Sequence, residues 1–278
     1  MSLWDWFLSL FKKKKKNMKG VCISLGLNSV DPKHYNNWKG KLYGCEYDAK
    51  DIVEITKKNG FETTLLLTLN ATRSNLISEL NSYSESLKAN DLLVLYYSGH
   101  GGQIPDREGE EKDGKDETWC LYDGQFVDDE LYYQLTKFKA GVRILVISDS
   151  CHSGTMTKDS YYEDLPLYKR MPRDLEEEVY QTNCDMYDEI LHPIKQSKAI
   201  VYADVLLISG CQDNQLSSDG SRNGKFTGEL LNIYKAGKTK NYFEFYTSIV
   251  KRMPPTQTPN YYFMNNDAFW KENKVFKI

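Results

Sequence analysis

The 278-residue chain has no apolar run approaching the roughly 20 residues that a membrane-spanning helix needs. It has no low-complexity tract apart from one lysine run, Lys12–Lys16. It also has no C-x-x-C pair. Its six cysteines, Cys22, Cys45, Cys120, Cys151, Cys184 and Cys211, are scattered. That argues against a zinc site, and a chain this long does not need a disulfide framework. A reducing, cytoplasmic setting is the simplest expectation. Net positive charge is confined to the first residues: residues 1–20 hold +5 and the remainder, 30 basic against 38 acidic, −8, for a net −3. Such a body has little to neutralise phosphates with, so no nucleic-acid partner is expected.

Residues 1–17 read as an appendage. Ser2, Asp5, Ser9 and Lys12 share one helical face, and Leu3, Trp4, Trp6, Phe7, Leu8, Leu10 and Phe11 make a wide apolar one. The basic run follows the apolar residues, the reverse of a signal peptide. The pattern suits an interfacial helix on an anionic membrane or a docking helix for a partner; packing on the body is the plainer alternative.

From residue 18 the chain alternates strand and helix. Val21–Leu25, Thr63–Leu67, Leu92–Tyr97, Ile144–Ile147, Val205–Ser209 and Tyr261–Met264 read as strands. Helical periodicity runs over Cys45–Asn59, over a segment capped by Asn70, from Asp128 or Asp129 to Lys137, and over Gly228–Lys235 and Tyr242–Arg252. The expected fold is α/β, a mostly parallel sheet with helices on both faces in a three-layer sandwich. Residues 155–202 break the rhythm; charged and punctuated by proline, they show no clear period.

Two glycine-rich turns end the most apolar strands: Tyr97-Ser98-Gly99-His100-Gly101-Gly102 and Ser148-Asp149-Ser150-Cys151-His152-Ser153-Gly154. Sites form at the carboxyl ends of strands in open α/β sheets. A cysteine nucleophile needs an imidazole to take its proton and later protonate the leaving amine. Cys151 and His100 fit those roles. His152 is a rival base, but its position beside the cysteine on one strand end aims it elsewhere. The N–H groups of Gly101 and Cys151 are candidates for stabilising an oxyanion.

Histidine about 50 residues before the cysteine is the chain order of the caspase clan. The words Tyr-Ser-Gly-His-Gly and Asp-Ser-Cys-His-Ser-Gly resemble its metacaspase branch, including prokaryotic caspase-like proteases. The resemblance extends over residues 19–265, through Leu42–Ala49, Asp113–Glu117, Val127–Leu131, Ile208–Gln215, Gly224–Thr227 and Gln257–Pro259. It implies a peptidase domain over 18–278, with a large part to about 155, a linker over 155–202 and a small part over 203–278. It also implies cleavage of protein substrates after Arg or Lys, through an acyl-enzyme, with an acidic S1 pocket matching Cys45, Asp48, Ser98 and Asp149. Two carboxylates beside the nucleophile would pair with a guanidinium or ammonium.

Asp106–Glu130 holds eleven acidic residues against three basic ones. The bland reading is a solvated loop. The resemblance offers a calcium site at Asp116, Asp128 and Asp129, although the fourth acidic ligand expected beyond the cysteine meets Lys158; no cofactor is required by the chemistry itself. Lys158, Lys169, Arg170, Arg173, Lys195 and Lys198 are candidate self-cleavage points in the linker. The competing functional reading is a catalytically silent caspase-like adaptor that works through its N-terminal helix.

Overall fold

The computed structural model describes residues 18–106, 114–151, 168–212 and 215–278. Its centre is four parallel strands: β1 (Gly20–Gly26), β3 (Leu92–Ser98), β7 (Arg143–Asp149) and β8 (Asp204–Ser209). Parallel β2 (Glu62–Leu67) lies outside β1, and antiparallel β9 (Asn260–Met264) outside β8. Every residue of β1, β3 and β7 is buried, as strands covered on both faces must be.

Successive side chains of these strands enter opposite layers. Ile23, Leu95 and Val146 pack with Leu76, Leu80 and Tyr83 of α2 (Arg73–Ser86) and Leu135 of α3 (Asp128–Thr136). Cys22, Val94, Leu145 and Ile208 meet Ile52 of α1 (Cys45–Lys58) and Leu230 of α5 (Lys225–Ala236). Phe245 of α6 (Tyr242–Val250) and Trp270 of α7 (Ala268–Glu272) complete that layer.

Three sequence expectations are corrected. The cap of α2 is Thr72, whose Oγ1 accepts from the Asn75 N–H at 3.2 Å; Asn70 instead ends a 3-10 turn over Thr68–Asn70. The acidic stretch is not simply a solvated loop. It contributes β5 (Lys115–Leu121) and β6 (Gly124–Val127), which pair antiparallel with each other, and β5 pairs with β4 (Gly101–Pro105) in a second sheet. The segment 155–202 is not irregular throughout, because residues 173–195 form the 23-residue α4 (Arg173–Lys195). Glu176, Val179, Tyr180, Tyr187 and Leu191 form its buried stripe, at the spacing of one helical face. Val179 packs with Val30, Tyr35 and Met171, and Tyr180, Tyr187 and Leu191 with Ile104 and Val127. Pro193 falls in the last turn, where little helix remains to disrupt.

Candidate active site

β3 and β7 are neighbours, with Ser98 paired to Asp149. His100 and Cys151 each lie two residues beyond that pair, so parallel register brings them off adjacent strand ends at one level. Both are buried. The Nε2–H of His100 donates to the Gly40 carbonyl at 3.1 Å. A carbonyl can only accept, so the bond fixes the tautomer and leaves the lone pair on Nδ1. Nδ1 is buried and has no hydrogen-bond partner among the described residues. Trp38 packs on the imidazole with ring centroids 4.6 Å apart. Gly40 adopts φ +51°, and a Cβ there would stand 3.0 Å from His100 Cδ2, so glycine lets the carbonyl come this close. Burial pushes the imidazole down to about 4, against the opposing pull of the Gly40 and Arg170 backbones, and keeps it neutral. Cys151 Sγ lies against the Ser217 backbone, accepting from its N–H and donating to its carbonyl at 3.5 Å.

The four residues expected to form S1 converge beside this pair. Asp48 and Asp149 are fully buried, the first on α1 and the second at the end of β7. Ser98 Oγ donates to Asp48 Oδ2 at 2.8 Å. Cys45, one turn before Asp48, is buried beside Ser98, and burial pushes its thiol up. Other partners hold the carboxylates. Asp48 Oδ1 accepts from Asn223 Nδ2 at 3.0 Å and from the Gly224 N–H at 3.1 Å. Asp149 accepts from the hydroxyls of Ser217 and Thr227, each at 2.6 Å. Gln257 Nε2 in turn donates to Ser217 Oγ at 2.8 Å.

Between the two carboxylates lies a side chain from the chain itself. Lys169 Nζ is 2.9 Å from each of Asp48 Oδ2, Asp149 Oδ2 and Ser98 Oγ, with no exposure to solvent. Burial would push this ammonium down, but Asp149 and Asp48 more than reverse it, and it stays well above the usual lysine range. One ammonium between two carboxylates leaves a net negative charge. Asp48 is raised to about 6, by burial first, with Lys169 pulling it down and Asp149 pushing it up. The Lys169 carbonyl oxygen accepts from both the Gly101 and the Cys151 N–H, each at 3.0 Å. The two proposed oxyanion donors therefore converge on one oxygen.

Sequence reasoning named Lys169 only as one basic residue among six. It assigned no role to Ser217, Asn223, Gly224, Thr227, Gln257 or the Gly40 carbonyl. The runs Gly224–Thr227 and Gln257–Pro259 carried the resemblance but did not show that they reach back to Asp48 and Asp149. His152, Lys158 and the N-terminal segment 1–17 lie outside the described residues.

Of the expected calcium ligands, Asp116 lies in β5, and Asp128 and Asp129 open α3. Asp128 is pushed up to about 8 by burial and then by Asp129, Asp116 and Glu117. Lys195 stands 4.0 Å from Asp116, and among the described residues no three His, Cys, Asp or Glu side chains are grouped to hold a metal ion. No described helix is long and apolar enough to cross a membrane.

The parallel sheet, with a buried cysteine and histidine at its strand ends, defines a caspase-like architecture. The comparisons give the family directly: residues 30–270 match the caspase domain, and the chain belongs to that family. It is 30% identical over 256 residues to metacaspase-1A of Aspergillus oryzae, covering 78% of this chain and 61% of that protein. It is 29% identical over 263 residues to metacaspase-1 of Schizosaccharomyces pombe, covering 80% and 60%. The chain thus spans about 60% of the length of these relatives. Protein GSU0716 from Geobacter sulfurreducens superposes with a TM-score of 0.84 at 49% identity, over 93% of this chain and 98% of that one. Caspase-1 from Spodoptera frugiperda, at 13% identity and a TM-score of 0.56 over 94% and 90%, shares the fold.

Proposed function

We propose that the chain is a cysteine endopeptidase that cleaves after Lys or Arg, with Cys151 as nucleophile and His100 as general base and acid. One observation carries this reading. A lysine side chain lies between Asp48 and Asp149 while the carbonyl of that same lysine accepts from the Gly101 and Cys151 N–H groups. A P1 residue makes those contacts: the charged end selects it, and its carbonyl lies where charge develops.

The chemistry follows from the tautomer. Neutral His100 presents Nδ1 to take the Cys151 proton, while the Ser217 N–H supports negative charge on sulfur. Sulfur adds to the P1 carbonyl carbon, and the oxyanion is held by the two N–H groups. His100 returns the proton to the leaving amine, and water then hydrolyses the thioester. An arginine in S1 would offer its planar fork to the same two carboxylates.

The test is hydrolysis of fluorogenic peptides ending in Arg, Lys or Asp, with and without calcium. Expected are turnover after Arg and Lys and its loss in Cys151→Ala. Cleavage only after Asp would overturn the specificity, and equal rates in wild type and Cys151→Ala would overturn the nucleophile.

A further inference from the structure

The linker enters the site as an extended strand. Tyr168 bridges Ser218, and the Lys169 N–H donates to the Ser217 carbonyl at 2.9 Å. On the other side of the Lys169 carbonyl, Arg170 bridges Gly101, and the Met171 N–H donates to the Gly101 carbonyl at 2.8 Å. Lys169 and Met171 are fully buried and Arg170 nearly so. Backbone pairing thus clamps the Lys169–Arg170 peptide bond from both ends.

Two adjacent basic residues pose a choice of register. The pocket of Asp48 and Asp149 suits a guanidinium at least as well as an ammonium, so its chemistry does not dictate that Lys169 rather than Arg170 fills it. Glu176 does. Arg170 points away from S1, as alternation along a strand requires, and its Nη2 lies 3.4 Å from both carboxylate oxygens of Glu176. Both side chains are almost fully buried. Glu176 sits in the first turn of α4, and α4 is fixed by contacts remote from the bond. Tyr187 OH bonds His34 Nε2 at 2.7 Å, and Asn183 Nδ2 donates to the His34 carbonyl at 3.2 Å.

The geometry points to Lys169–Arg170 as the bond this chain cuts in itself, with Glu176 as the positioning residue that sets the register. This inference rests on the peptidase reading above. Cys151 Sγ adds to the Lys169 carbonyl carbon, the bond to the Arg170 nitrogen breaks, and that nitrogen takes the proton from His100. Water then releases Lys169 as a carboxylate, leaving Arg170 as a new amino terminus. The buried face of α4 is untouched by the cut, so the two pieces stay together under native conditions.

The experiment is intact-mass analysis of the full chain over a time course, with and without calcium, alongside hydrolysis of a Lys-ended peptide. Wild type should convert to pieces 1–169 and 170–278 that co-elute on a sizing column. Cys151→Ala should stay whole, and Lys169→Gln should lose this cut by at least tenfold. Glu176→Gln should add a second cut one residue later, giving 1–170 and 171–278, without loss of peptide hydrolysis. Glu176→Gln combined with Arg170→Gln should return to the single cut after residue 169, which separates a register effect from a folding defect. Wild type that hydrolyses the peptide but stays whole, or is cut at another bond, overturns the self-cleavage assignment. A lone cut after residue 169 in Glu176→Gln, at the wild-type rate, overturns the role of Glu176. Wild type that stays whole while Lys169→Gln hydrolyses the peptide also overturns the self-cleavage assignment, whereas wild type and Lys169→Gln that both hydrolyse no peptide under either condition defeat the peptidase reading, and this inference with it.

Discussion

Lys169 Nζ and Asp149 Oδ2 lie 2.9 Å apart, and neither side chain is exposed to solvent. The two residues are twenty positions apart in the chain, one ending a central strand and the other in the linker. A buried charge needs a partner or its desolvation is ruinous, and this pair supplies one only because Lys169 enters the pocket beside the nucleophile.

Asp149→Asn should cut kcat/KM for Lys- and Arg-ended peptides by roughly 10²-fold or more, the usual cost of removing one partner of a desolvated charge pair. The comparison that matters is the ratio of Lys-ended to Gln-ended peptide turnover, with circular dichroism to show that the variant is folded. An unchanged ratio would mean that Asp149 does not select the P1 charge.

Asp48 makes substrate binding pH-dependent. With a cation in the pocket it titrates at about 6; in the empty pocket the same carboxyl lacks that counter-charge and holds its proton to higher pH. As pH falls towards 6 the empty pocket is protonated before the occupied one, so KM for a Lys-ended peptide should rise by up to about tenfold per pH unit above about 6 and level off below it. His100, at about 4, stays neutral over this window and does not supply the effect. Stability runs the other way. A carboxyl raised from 3.8 binds its proton more tightly in the folded chain, so its contribution falls as pH rises from 3.8 to 6. A KM flat between about pH 8 and about pH 6 would contradict the assignment.

Gly224 is the floor of the same pocket. A Cβ there would lie 2.4 Å from Lys169 Nζ and 2.8 Å from Asp149 Oδ2. Gly224→Ala should raise KM for basic peptides roughly tenfold through overpacking, and should also slow any cut after Lys169. Steady-state kinetics on Lys- and Arg-ended peptides checks this.

Away from the site, Arg73 forms a buried pair with Glu130 at 2.6 Å, and Glu130 also accepts from the Val127 N–H at 3.1 Å. This pair ties α2 to the start of α3. Glu130→Ala leaves the guanidinium buried without its carboxylate and should cost about 3–5 kcal/mol, seen as a lower urea midpoint at unchanged slope.

Much of this protein was legible before its structure. The strands Val21–Leu25, Leu92–Tyr97 and Ile144–Ile147 declared themselves as unbroken apolar runs, because a strand buried on both faces has no polar side. α4 was hidden for the converse reason. Its buried stripe includes Glu176 and four tyrosine or aliphatic positions spaced among charges, a weak pattern in a segment that also carries proline. The second sheet was missed because β5 lies within an acidic run whose composition resembles solvent-facing chain.

By itself the sequence determined the α/β class, and it singled out Cys151 and His100 as the candidate reactive residues, since reactive side chains in glycine-rich turns at strand ends are local features. It also offered Asp48 and Asp149 through resemblance. Only the tertiary structure decided that Lys169, out of six basic residues in the linker, lies between Asp48 and Asp149, and that Arg170 beside it pairs with Glu176. Both outcomes depend on contacts between chain segments far apart in number, where charge must be matched inside a low-dielectric interior, and no local pattern encodes which distant partner does the matching.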